Sequence, residues 1–110
     1  MIYEAGATEV HLGIACPPIT NPDFYGIDTP NLEELIAAKK SIEEINKEIG
    51  STSLFFLSLN GTYKALGEKN RDNSNPQFTD HCFTGDYPIE VADHKSYIKQ
   101  SEKTLKQYTY

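Results

Sequence analysis

The chain has 110 residues, enough for a single domain with one modest core, because folding at this length buries about 65% of the surface an unfolded chain exposes. Ten basic side chains against sixteen acidic ones leave a formal charge of -6, which excludes long-range attraction to phosphate backbones or anionic lipid. Neither nucleic acid nor membrane is therefore an expected partner. No apolar run approaches the ~18 residues of a membrane span, and MIYEAGATEV lacks the basic head and apolar stretch of a secretion signal, so a cytoplasmic location is expected. Cys16 and Cys82 stand far apart with no CxxC between them, which implies neither a disulfide framework nor a zinc site.

From the N-terminus, YEAGATEVHLGIACPP reads as a helix end, a turn at Gly6, and a strand with Val10, Leu12, Ile14 and Cys16 on one face. Pro17 and Pro18 end that strand, since proline has no backbone donor for the ladder. Beyond a loop, Asn31 with Glu34 predicts a capping box for LEELIAAKK, and Ser41 with Glu44 repeats the device for IEEINKEI. Ile42, Ile45 and Ile49 recur at helical spacing and predict a packed face, with Gly50 as a left-handed stop. SLFFLSL is nearly continuous in apolar residues and predicts a strand covered on both faces. Asn60 and Gly61 open a further helical turn or two, TYKALG.

This order of strand, helix pair, strand and helix predicts an α/β fold with a right-handed parallel crossover. Two parallel strands alone make a poor sheet, so further strands are expected upstream of Met1. EKNRDNSNPQ, residues 68–77, is a polar surface excursion or a disordered stretch. FTDHCFTGDYPIE regains aromatic character and is expected to strap back onto the body. In DHKSYIKQSEKTLKQYTY the helical spacing of Ile98, Leu105 and Tyr108 is weak, which predicts a frayed tail. There is no internal repeat.

Few patterns carry chemistry. LNGTYK lacks the second glycine of a phosphate cradle and reads as helix capping. Asp80, His81 and Cys82 are all ligand types, but adjacent residues seldom aim at one metal and no second pair stands at ligand spacing, so no metal site is assigned. His11 and His94 lack the partners a catalytic triad requires and are read as packed or solvated. Asp28 and Asp86, in YGID and TGD, are read as Asx-type turn formers. The stretch CPPITNPDFYGIDTPNLEEL is too rigid and too particular for a spacer and reads as one wall of a site.

AGATEVHLGIACPPI, FYGIDTP, ELIAA, SLFFLSLNG and CFTGDYP follow in order from about Glu4 to Ile89. Together they resemble the C-terminal end of the glutamine phosphoribosylpyrophosphate amidotransferase family. The resemblance implies an α/β fold in which residues 1–90 are the C-terminal part of a type I phosphoribosyltransferase-like domain. Short parallel strands with flanking helices, a polar loop and a frayed C-terminal tail over 91–110 complete it. The implied activity of the whole enzyme is formation of 5-phosphoribosylamine from phosphoribosylpyrophosphate and glutamine, the first committed step of purine synthesis.

In that family a threonine-rich loop with paired aspartates binds phosphoribosylpyrophosphate with magnesium just ahead of the segment like residues 1–8, and an N-terminal cysteine is the glutaminase nucleophile. Residue 1 here is Met1 and that loop is missing, so no catalytic residue is assigned and the isolated chain is expected to be inactive. Implied partners are the rest of the same enzyme (glutaminase domain and phosphoribosyltransferase loop), phosphoribosylpyrophosphate, glutamine and purine nucleotides, with the full-length protein a homo-oligomer. Tyr25, Asp28, Pro30 and Leu35 are the residues expected to wall the ammonia channel or nucleotide site; a plain structural turn is the other reading. The same loop is a candidate border for a purine-nucleotide inhibitor site. Where some members hold a four-iron cluster with cysteines, this chain has Asp23, Thr79 and Cys82, and one thiolate of three implies no iron-sulfur cluster. A free-standing, non-catalytic nucleotide-binding or regulatory module remains the alternative.

Overall fold

The computed structural model describes residues 1–27, 29 and 31–91, so Asp28, Pro30 and the expected tail beyond residue 91, with His94, lie outside the described residues. Six short elements follow in order: β1 (His11–Ile14), α1 (Ile36–Lys39), α2 (Ile42–Ile49), β2 (Ser53–Phe56), α3 (Leu59–Ala65) and α4 (His81–Thr84). The two strands pair in parallel, His11 opposite Ser53 through Ile14 opposite Phe56, with α1 and α2 in the connection between them. The expected α/β crossover is thus present. Among the described residues no helix is long and apolar enough to cross a membrane.

The sheet departs from expectation on one face. SLFFLSL promised a strand covered on both sides, yet Phe55 is 61% exposed. Its ring lies over β1, with Cζ 2.6 Å from where a Cβ on Gly13 would sit, so glycine at that position lets the aromatic lie flat on the neighbouring strand. Helix α2 packs on β2, and no second layer meets Phe55 among the described residues. The buried hydrophobic core is correspondingly small: Leu35, Ile45 and Tyr63.

Helix starts divide cleanly. At Ser41 both arms of the capping box form: Ser41 Oγ accepts from the Glu44 N–H at 3.2 Å, and the Ser41 N–H donates to Glu44 Oε2 at 2.8 Å. Gly50 closes α2 in the left-handed region at φ +75°. Only Ile45 of the expected apolar face is buried, while Ile42 and Ile49 stay exposed. Ser41→Ala removes an orphan-donor partner at an exposed helix start, and is expected to cost about 1 kcal/mol and to speed amide exchange at Glu44.

The box expected at Asn31 does not form. The backbone carbonyl of Asn31 accepts from Glu34 N–H at 2.8 Å and Leu35 N–H at 3.2 Å, closing a turn. The Asn31 amide donates instead to Glu34 Oε1, so its side chain caps no backbone donor and α1 begins only at Ile36. Helix α3 is capped by Ser58, whose Oγ accepts from Gly61 N–H at 3.0 Å, one residue before the stretch the sequence singled out.

Candidate functional site

The chain after β1 and the strap around α4 form one interlocked unit. Asp23 makes the turn of the first segment: its Oδ2 accepts from the backbone N–H groups of Tyr25 and Ile27, both at 2.8 Å. This is the Asx-type geometry expected at Asp86, whose carboxylate is instead taken by Arg71. The strap is tied down along its length. Thr20 and Asn21 donate to the Cys82 carbonyl at 3.0 and 3.1 Å, and Tyr87 Oη donates to the Pro22 carbonyl at 2.8 Å. Tyr25 Oη donates to the Ile89 carbonyl at 2.7 Å and accepts from its N–H at 3.2 Å.

At the centre, His81 Nε2 meets Asp23 Oδ1 at 2.5 Å, with side-chain exposures of 5% and 1%. Tyr25 stands edge-on to the imidazole at 4.9 Å and Tyr87 lies 5.1 Å from it. Burial alone would raise the Asp23 pKa, but the Ile27 and Tyr25 donors and His81 outweigh it and hold the carboxyl below its ordinary value. Burial, with Asp23 nearby, pushes the Cys82 thiol up, so it rests protonated. Burial likewise pushes Tyr87 up to about 12.

A second polar centre fixes the loop ahead of α4. Arg71 is bidentate on Asp80, Nε to Oδ2 at 2.6 Å and a terminal nitrogen to Oδ1 at 3.2 Å, and also reaches Asp86 at 2.6 Å. Tyr63 Oη donates to Asp80 Oδ2 at 2.8 Å, and Thr84 Oγ1 donates to Asp80 Oδ1 at 3.1 Å. Burial opposes ionisation of Asp80, yet Arg71, Tyr63 and Thr84 together hold its carboxyl below the usual range. Tyr63 is pushed upward, first by burial and then by Asp80. The polar stretch 68–77 is therefore an ordered excursion, with Asp72 Oδ1 accepting from Ser74 N–H at 2.9 Å. A groove beside it is lined by Phe78, Asp80, Asp86 and Pro88 among others, and its two carboxylates are poor company for a phosphate.

The residues expected to wall a site are distributed as follows. Tyr25 belongs to the strap junction, with its ring on His81. Leu35 is buried at the start of α1. Asp28 and Pro30 lie outside the described residues. His11 is exposed and bonded to Ser53 and Glu9, as its solvated reading implied. What the sequence does not reveal is Asp23: TDHC presents three neighbours, whereas folding sends Asp80 to Arg71 and brings Asp23, 58 residues away, to His81. The one signal is the resemblance, which implies a cluster-ligand position at Asp23.

No family model matches the chain. It is 54% identical over 94 residues to the amidophosphoribosyltransferase of Rhizobium etli, covering 84% of this chain and 19% of that protein. The Bacillus subtilis enzyme of the same name is 55% identical over 91 residues, with 83% and 19% covered. The solved glutamine phosphoribosylpyrophosphate amidotransferase from B. subtilis, complexed with ADP and GMP, matches with a TM-score of 0.73 at 53% identity over 86% of this chain and 20% of that one. The parallel crossover and these matches define the class first: the chain has an α/β fold shared with part of enzymes named amidophosphoribosyltransferases. Its family is that of the amidophosphoribosyltransferases, and it spans about one fifth of the length of the relatives it matches, consistent with the C-terminal portion read from its motifs.

Proposed function

We propose that this chain completes the phosphoribosyltransferase domain of an amidophosphoribosyltransferase, which as a whole protein makes 5-phosphoribosylamine from phosphoribosylpyrophosphate and glutamine. The observation that carries this reading is identity above 50% across most of the chain, joined to a backbone match at a TM-score of 0.73. The exposed Phe55 face supports it, because a parallel sheet of two strands is a surface that further chain is needed to cover. The partner is then the rest of the same enzyme, its glutaminase domain and phosphoribosyltransferase loop, in a cytoplasmic homo-oligomer regulated by purine nucleotides.

In this reading the segment through Tyr25, Asp28, Pro30 and Leu35 walls the channel or nucleotide site. Ammonia must reach the activated ribose unprotonated, which calls for a rigid and dry wall. The Asp23 turn, the Tyr25 to Ile89 bonds and the rings around His81 supply rigidity of that kind. Magnesium takes oxygen ligands. The ligand trio among the described residues includes a thiol, so magnesium for the proposed reaction would be held by chain outside these residues. A four-iron cluster fits no better, with a single cysteine at Asp23, Thr79 and Cys82.

Two experiments bear on this. The isolated chain is expected to form no phosphoribosylamine from either ammonia or glutamine, and a measurable rate would contradict it. Exchanging the matching segment of the B. subtilis enzyme for residues 1–91 should leave a folded enzyme with glutamine-dependent activity. A folded, oligomeric chimera with no activity in either half-reaction would sink the proposal.

A further inference from the structure

We infer that Asp23, His81 and Cys82 form a mononuclear site for a thiophilic divalent transition-metal ion of the zinc class. Each offers one ligand atom, and the three atoms lie within 4.8 Å of one another. Zinc bonds of about 2.0 Å to oxygen and nitrogen and about 2.3 Å to sulfur place neighbouring ligands roughly 3.3–3.7 Å apart. Side-chain adjustments of about 1 Å therefore suffice: the widest pair closes, and Asp23 Oδ1 and His81 Nε2, now 2.5 Å apart, separate to admit the ion.

The surroundings are those of a held site. One oxygen of Asp23 is fixed by two backbone donors, which leaves the other directed at His81. A ligating carboxylate is commonly oriented by such outer hydrogen bonds. The backbone of Cys82 is fixed by the Thr20 and Asn21 donors to its carbonyl. The imidazole of His81 is buried, with Nε2 facing Asp23 Oδ1 and Nδ1 without a hydrogen-bond partner among the described residues. Tyr25 and Tyr87 flank the ring and limit access of bulk water.

Charge and donor type select the ion. Binding releases one proton: the Cys82 thiol gives its proton to solvent, and thiolate, carboxylate and a divalent cation then sum to zero in a site where burial disfavours a net charge. A nitrogen, oxygen and sulfur set suits zinc or cobalt and disfavours magnesium and calcium. Three protein ligands leave a fourth tetrahedral position for water or another small ligand. The trio would bind its ion whether or not the chain serves the enzyme proposed above.

The test is a titration of the metal-free 110-residue chain with cobalt(II), followed by absorbance. One equivalent should produce a sulfur-to-cobalt charge-transfer band and tetrahedral visible bands, and zinc should bleach both. Cys82→Ser should abolish the charge-transfer band, Cys16→Ser should keep it, and Asp23→Asn should weaken binding by more than about tenfold. X-ray absorption of the zinc-loaded, unsubstituted chain needs no variant and should show one sulfur at about 2.3 Å with nitrogen and oxygen neighbours. No charge-transfer band at saturating cobalt, a band that survives Cys82→Ser or is lost in Cys16→Ser, or a zinc shell without sulfur would each overturn the assignment. Because such sites couple binding to folding, a chain that is disordered without metal and still fails to bind counts equally against it.

Discussion

Arg71→Met is expected to destabilise the chain by about 3–5 kcal/mol, the usual cost of leaving one member of a buried ion pair behind. The guanidinium is 8% exposed and Asp80 6%, so solvent does little to screen either. Asp80 would keep the Tyr63 and Thr84 donors but lose its two bonds to Arg71, and Asp86 would lose its partner. The loss should show as a lowered urea midpoint and as faster amide exchange over α4. Adding Asp80→Asn removes the stranded charge and should recover part of the midpoint. Equal midpoints for the original and Arg71→Met chains would mean that the network holds nothing together.

Acid should loosen the same strap. Asp23 and Asp80 both sit below their ordinary carboxyl value of 3.8 in the folded chain. A depressed folded value means that the unfolded state binds protons more readily, so the stabilisation is fully present above the unfolded value and is lost as pH falls through the folded one. The window therefore opens near pH 4 and extends below it. Urea midpoints measured from pH 6 downward should be flat at first and then fall, and Asp80→Asn should make that fall shallower. At the alkaline end the sign reverses: Tyr87, pushed up to about 12 by burial, contributes stability that is lost as pH rises from about 10 towards that value. A midpoint that rises on acidification below pH 4 would contradict the assignment of both carboxylates.

Much of the local structure was legible because its causes are local. Ser41 with Glu44 and the stop at Gly50 depend on backbone donors and one glycine within a single short helix, and they appear where the spacing put them. The parallel strands followed from apolar runs separated by a helical connection. Asn31 with Glu34 has the same spacing as Ser41 with Glu44, yet folds into a turn, with the Asn31 amide on the glutamate where the Ser41 oxygen accepts from the helix. Spacing alone does not distinguish the two. The expectation of a doubly covered β2 rested on composition, whereas covering requires a second layer that the described residues do not supply at Phe55.

The sequence by itself determined the family, through ordered motifs over about 85 residues, and the elements whose hydrogen bonds close within a few positions. Only the tertiary structure decided which polar side chains meet. Asp23 with His81 is separated by 58 residues, Tyr63 with Asp80 by 17 and Arg71 with Asp86 by 15. None of these follows from periodicity, because the pairing of buried charges is set by which segments cross and by the cost of leaving any of them without a partner.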